Sequence, residues 1–249
     1  MGFRTEFGRT THREKYASTT YETWDDKAHA VVNSVCGTYD GKKNNIMSKS
    51  EQDQLVRYIS EFKFMPGGRY LWYAARLARY YNNCYLLKLE EDSREEWASV
   101  TQRAMSCLMT GGGIGVDVSV ARPSGRPLRR TGGVASGPLP LLFTLNEVGR
   151  NVMQGGSRRS ALYGSLNWGH EDAMSLLHAK NWHDMEVGGT TLAELKKQDF
   201  NFPAPLDMMN VSLNYDDAWL NGQGRESEPL FLENVKQAMM TGEPGFSFN

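Results

Sequence analysis

Cys84 has the neighbours that suit chemistry among the three cysteines, Cys36, Cys84 and Cys107, of this 249-residue chain. Asn82 and Asn83 precede it and a short apolar run, "CYLLKL", follows. A thiol so placed is either a small buried hydrophobe or a reactive group. An odd, widely spaced set indicates neither a disulfide framework nor a zinc site. A second candidate is Gly111-Gly112-Gly113-Ile114-Gly115. Its order, helix then glycines then strand, is the reverse of the dinucleotide-binding fingerprint, so that reading fails. A plain turn, or backbone bared so that a ligand can lie against it, remains. The third candidate is "QGGSRRS", residues 154–160: an amide, a hydroxyl and two guanidiniums on a pliable backbone. Taken alone it reads as a solvated basic loop; with Arg122, Arg126, Arg129 and Arg130 in "ARPSGRPLRRTGGVASG" it adds to a supply of forked donors that suit phosphates and stack on bases. His170, His178 and His183 have spacings that match no metal-binding helix, and no metal site is expected.

These groups need elements to hold them. Residues 1–60 are polar, with helical patterning in "WDDKAHAVVNSV" and "EQDQLVRYISEF" around the turn-rich "GTYDGKKNN". "MPGG" breaks that pattern. Beyond it, strands are expected near 84–89, 116–120, 161–167, 210–214 and 245–248, with helices between them. "DSREEWASVTQRAMSCLM" reads as a helix with Asp92 or Ser93 as N-cap and acidic residues in its first turn. Trp97, Val100, Ala104, Cys107 and Leu108 share one face of it. "PLPLLFTLNEVGRNVM" reads as a second helix. Strand–helix alternation predicts an α/β domain with a mainly parallel sheet.

A net charge of -1 gives no field for non-specific binding to DNA or acidic membranes. No apolar stretch approaches the roughly 20 residues that span a bilayer, and the first residues have no apolar targeting core. The expectation is a cytoplasmic protein that binds neither nucleic acid nor membrane.

Taken together, "MPGGRYLW", "NNCYLL", "GGGIGVDVSVARPSGRPLRRTGGVASGP" and "NVMQGGSRRSALYGSL" resemble the large subunit of ribonucleotide reductase. The likeness is greatest to the class II, adenosylcobalamin-dependent type, and runs from about residue 60 onward. The resemblance implies the first five-stranded half of a ten-stranded α/β barrel over residues 61–249, carrying effector loops and dimer helices. A short helical region, residues 1–60, precedes it, too short for an ATP-binding cone. Cys84 falls at one of the two cysteines that reduce the substrate and become a disulfide. Asn83 falls in the ribose pocket, Gly113 where substrate lies on backbone, and Gly67, Gly68 and Arg69 near the substrate's phosphates. Asp92 and Ser93 correspond to the ribose site of a nucleoside triphosphate effector, and Arg122 and Arg129 to the loop that grips its phosphates. Gln154, Gly155, Gly156, Ser157, Arg158 and Arg159 correspond to the loop that relays effector identity to substrate choice.

The resemblance also defines what is lacking. The thiyl-radical cysteine, its Asn and Glu neighbours and the second redox cysteine have no counterpart in these residues. A complementary C-terminal half is therefore expected as partner, with the end at an element boundary favouring a split gene over a piece of a longer chain. Most adenosylcobalamin contacts would belong to that half. A thioredoxin-like reductant is expected, and so is homodimerisation through helices 93–109 and 137–153. The rival expectation is a nucleotide-binding regulatory fragment without catalysis. Another radical enzyme on the same barrel leaves the two effector loops unexplained.

Overall fold

The computed structural model describes residues 3–39, 42–43, 47–77, 80–82, 84–152, 160–223 and 228–248. Two compact units emerge, Met1–Asn83 and Cys84–Asn249. Residues 61–82, read from sequence with the half-barrel, group with the first unit.

In the first unit, α1 (Glu6–Thr11) leads into a π-helical turn, His12–Tyr16. Next come α2 (Trp24–Cys36), an antiparallel pair β1 (Thr38–Tyr39) and β2 (Lys42–Lys43), α3 (Lys49–Ser60) and α4 (Gly68–Tyr73). Both α2 and α3 start with a capping box. Thr23 accepts from Asp26 N while Asp26 accepts from Thr23 N, and Ser48 and Glu51 repeat the exchange. Two backbone donors that a helix start would leave unpaired are thereby satisfied at each end. The apolar faces bury Trp24, Ala28, Val31, Val32, Ile59 and Leu71, and Trp24 Nε1 donates to Ile59 O at 2.9 Å.

The second unit alternates strand and helix: β3 (Cys84–Lys88), α5 (Arg94–Met109), β4 (Gly113–Asp117), α6 (Leu139–Asn151), β5 (Ala161–Asn167) and α7 (Ala173–His178). A small antiparallel pair, β6 (Glu186–Val187) and β7 (Thr190–Thr191), precedes α8 (Leu192–Gln198), β8 (Met209–Tyr215), α9 (Glu228–Thr241) and β9 (Gly245–Phe248). The five long strands form one parallel sheet in the order β3-β4-β5-β8-β9. Consecutive parallel neighbours joined by helical crossovers are the expected consequence of strand–helix alternation.

The pleat sorts the side chains. Ile114, Val116, Leu162, Leu166, Val211 and Leu213 join Val100, Leu108, Leu142 and Leu145 of the helices in one core. Burial of each such side chain stabilises by about 1.5–3 kcal/mol. Two glycines admit the helices closely: a Cβ on Gly149 would collide with Leu162, and one on Gly164 would lie 2.9 Å from both Leu142 and Met209 Sδ. Residues one position out of phase point the other way. By register these form rows across the sheet, first Cys84, Gly113 and Ala161, then Leu86, Gly115, Tyr163 and Asn210.

One strand differs from expectation. β4 occupies Gly113–Asp117, three residues ahead of the predicted 116–120. Its glycines are ladder residues, because Gly115 lies between Leu86 and Tyr163, where a Cβ would be 3.3 and 3.4 Å from them. The apolar residues beyond, Val118 and Val120, belong to the turn that leaves the strand.

Candidate functional site

Cys84 is the first residue of β3, and β4 pairs with it so that Cys84 is opposite Gly113. Gly113 is opposite Ala161 on its other side. Cys84 and Ala161 are exposed and Gly113 is half-buried. With only hydrogen and methyl as neighbours across the row, the thiol stands at the edge of bare backbone. The face continues through Leu86, which is 78% exposed, and the exposed Asn210. A reactive thiol needs such access. Cys36 is buried, with its Sγ 3.4 Å from Met47 Sδ. Cys107 packs against the core, and burial pushes its thiol pKa up.

Ser93 caps α5, accepting from Glu96 N at 3.1 Å and donating to Glu91 Oε1 at 2.7 Å. That cap forms one wall of a pocket of about 450 Å³ lined by Asp92, Ser93, Trp97, Arg122, Val134 and Gly137, among others. The opposite wall is the 122–137 loop, which folds on itself as a ribbon: Gly125 N donates to Ala135 O, Ala135 N to Arg126 O and Leu128 N to Gly133 O. Gly132 and Gly133 have φ of 71° and 80°, left-handed values that glycine adopts at little cost. Arg122 pairs with Asp92 across the pocket, and Arg126 pairs with Glu171 at the ribbon's outer side. Arg129 and Arg130 are exposed at its tip.

The structure thus brings Asp92, Ser93 and Arg122 to one pocket and places Arg129 on the adjoining ribbon. Cys84 and Gly113 are brought side by side. Gly67, Gly68 and Arg69 belong to the first unit, where Gly67 precedes α4 and Gly68 opens it. Arg69 is buried, donating to Tyr80 O at 3.0 Å with its guanidinium 5.6 Å from the Tyr73 ring centroid. Asn83, Gln154, Gly155, Gly156, Ser157, Arg158 and Arg159 lie outside the described residues. Trp97, read from sequence as a core residue, is also a pocket wall, as are Val134 and Gly137. No residue spacing signals that role, because their meeting depends on how the ribbon returns.

A second feature escaped the sequence reading. Asp207, ahead of β8, accepts from Arg150 of α6 and from Lys196 of α8 at 2.8 Å. Burial opposes its charge, but Arg150, Lys196 and Asn146 outweigh it and hold its carboxyl below the usual range. Among the described residues no group of three His, Cys, Asp or Glu is arranged to hold a metal ion. No helix among them is long and apolar enough to cross a membrane.

A parallel sheet whose strands follow in sequential order, packed with its helices into one core, is the architecture of half of an α/β barrel. Residues 82–220 match the family described as "Ribonucleotide reductase, barrel domain", and the chain belongs to that family. A vitamin B12-dependent ribonucleoside-diphosphate reductase of Mycobacterium tuberculosis (strain CDC 1551 / Oshkosh) is 26% identical over 219 residues, 81% of this chain and 29% of the relative. One of Thermoplasma acidophilum is 30% identical over 169 residues, 66% of this chain and 22% of the relative. The large subunit of a Monkeypox virus ribonucleoside-diphosphate reductase is 31% identical over 125 residues, 49% of this chain and 16% of the relative. In structure, the Actinobacillus ureae class Id ribonucleotide reductase alpha subunit superposes with a TM-score of 0.70 at 14% identity, covering 98% of this chain and 40% of that one. The chain therefore spans under a third of the curated relatives' lengths.

Proposed function

We propose that this chain supplies the redox thiol and the effector pocket of a ribonucleotide reductase that turns ribonucleotides into deoxyribonucleotides. The observation that carries the reading is the pairing of exposed Cys84 with Gly113. A ribose laid against the glycine backbone would present its 2′ carbon to that sulfur. In the reaction, the 3′ hydrogen is taken and later returned. The C2′–O bond breaks, the hydroxyl leaves as water and C2′ gains hydrogen. Cys84 and a second cysteine, from outside these 249 residues, together lose two electrons and two protons and become a disulfide. The thiyl radical would come from outside these residues too.

Adenosylcobalamin would supply the radical chemistry, a reading supported by the vitamin B12-dependent names of the first relatives. Among the described residues, the donors at these two places do not suit a corrin: across the sheet from Cys84 stand Gly113 and Ala161, and the pocket at Asp92 offers a hydroxyl, a carboxylate and a guanidinium. No step of the reaction is assigned to cobalamin through these residues.

The Asp92 pocket is the site of a nucleoside triphosphate effector. Its volume falls within the usual range for small-molecule sites. Asp92 and Ser93 offer partners for ribose hydroxyls, and Arg122, with Arg129 on the ribbon, for phosphates. An arriving phosphate would exchange with Asp92 for the Arg122 guanidinium. Residues 154–159 then relay effector identity to substrate choice, each effector stabilising one arrangement. On this reading Arg158→Ala weakens substrate choice more than effector binding, and equal loss of both would count against it.

The reductase is cytoplasmic, pairs this chain with the complementary half-barrel and regenerates its disulfide through a thioredoxin-like protein. Two copies meet through α5 and α6, where Met105, Met109 and Phe143 are exposed. The test combines this chain with a segment carrying the thiyl-radical cysteine and measures deoxynucleotide formation with and without adenosylcobalamin. Product requiring every component supports the reading. Binding of deoxynucleoside triphosphates without any turnover supports a regulatory fragment instead.

A further inference from the structure

The last turn of α6 is gripped by a carboxylate far away in sequence. Asn146 and Arg150, one helical turn apart and so on one face, both reach Asp207. Arg150 Nη2 lies 2.5 Å from Asp207 Oδ1, Nη1 3.1 Å from Oδ2, and Asn146 Nδ2 3.3 Å from Oδ1. Lys196 Nζ holds the same carboxylate from α8, and Met208 N donates to Asn146 Oδ1 at 2.9 Å. The Asp207 side chain is only 1% exposed. Leu206 just before it has a φ of 54°, a strained value for leucine that the surrounding contacts hold in place.

Buried ion groups are weak evidence of a stabilising role, since desolvation offsets much of their attraction. What this one does geometrically is definite. Two grips on one helix face, each with its own direction, oppose both rotation of the last turn about its axis and sliding along it. A few residues on, Ser160 Oγ at the head of β5 reaches Gly149 O and, at 3.3 Å, Val152 O. Val152 and Ser160 are thus joined into one hydrogen-bonded knot whose outer anchor is Asp207. Val152 and Ser160 are the chain neighbours of residues 153–159 on either side.

We propose that Asp207 is a positioning residue for nucleotide selectivity, holding the roots of residues 153–159 through Arg150 and Asn146. The proposal rests on the reading that those residues relay effector identity. Selection among bases compares free energies of a few kcal/mol, so a root loosened by an ångström erases much of the difference.

The test uses the assembled reductase containing this chain, with dATP and dTTP as effectors and CDP and GDP as competing substrates. The quantity read is the CDP/GDP ratio of kcat/KM and its fold change between the two effectors. Asp207→Asn keeps the shape of the side chain and loses its charge, while Arg150→Lys keeps the charge and loses the two-pronged contact. The expected result is that effector Kd stays within about threefold in both variants while the effector-driven change in substrate ratio falls by about tenfold, the scale of one lost charged hydrogen bond. Should Asp207→Asn fail to fold, Arg150→Lys alone carries the comparison. Variants that keep the wild-type response, even with lowered melting temperature, overturn the proposal and leave a structural role. A wild-type enzyme whose substrate ratio ignores effector refutes the relay reading itself, and this proposal with it.

Discussion

Gly137→Ala, paired with Gly132→Ala, separates a conformational cost from a steric one in the pocket ribbon. Both glycines have left-handed backbones, φ of 79° and 71°. Forcing alanine into that region costs about 1–2 kcal/mol at either position. At Gly132 nothing lies within 4 Å of the added methyl, so the cost ends there. At Gly137 the methyl would lie 2.8 Å from Asp172 Oδ2 and 3.1 Å from Ser124 Cβ. Asp172 Oδ2 is also the acceptor for Ser124 N at 2.8 Å. Moving it breaks a charged hydrogen bond, worth about 1.5–3 kcal/mol. Gly137→Ala should therefore destabilise by about 2.5–5 kcal/mol, of which the bond is the part that Gly132→Ala lacks. Urea unfolding followed by tryptophan fluorescence measures both. Nucleotide affinity should fall only with Gly137→Ala, whose residue lines the pocket. Equal destabilisation by the two variants would refute the claim that Asp172 and Gly137 fix the ribbon.

Other expectations concern thiols, charge and acid. A maleimide should label Cys84 first, the half-buried Cys107 more slowly and Cys36 only on unfolding, as peptide mapping would report; Cys84→Ser should change stability by less than about 0.5 kcal/mol, as an exposed site. Arg122→Ala should weaken triphosphate binding by about tenfold or more, and flatten its dependence on salt, in equilibrium dialysis. Glu233 accepts from Gln237 at 2.7 Å and His178 at 3.0 Å, and these bonds lower its carboxyl from the usual 4.5 to about 2. A carboxyl depressed on folding stabilises above its ordinary value and loses that contribution as pH falls toward 2. The free energy of unfolding should therefore drop less between pH 5 and pH 3 in Glu233→Gln, by about 1 kcal/mol for this partly exposed group.

Much of the architecture was legible because its signals are local. The acidic first turn after Ser93 marks the start of α5, and Val100, Ala104 and Leu108 fall on its buried face as their spacing predicts. β4 was placed three residues late because alternation was sought in Val116, Val118 and Val120, whereas the ladder begins at Gly113, a residue with no side chain to alternate. The family resemblance put both Cys84 and Gly113 at the substrate, but their pairing in register was legible from neither resemblance nor spacing. The Asp207 network was illegible: its two partners on α6 stand 57 and 61 residues away, and a lone Asp in "PLDMMN" carries no pattern.

The most direct test of the whole account follows the sulfur at position 84 through one turnover. A reductase containing this chain would be prereduced, given a single equivalent of substrate without external reductant, and quenched, and its peptides would be mapped under non-reducing conditions. Deoxynucleotide is expected in proportion to a disulfide joining Cys84 to a cysteine outside residues 1–249. Deoxynucleotide formed while Cys84 remains a free thiol would contradict it.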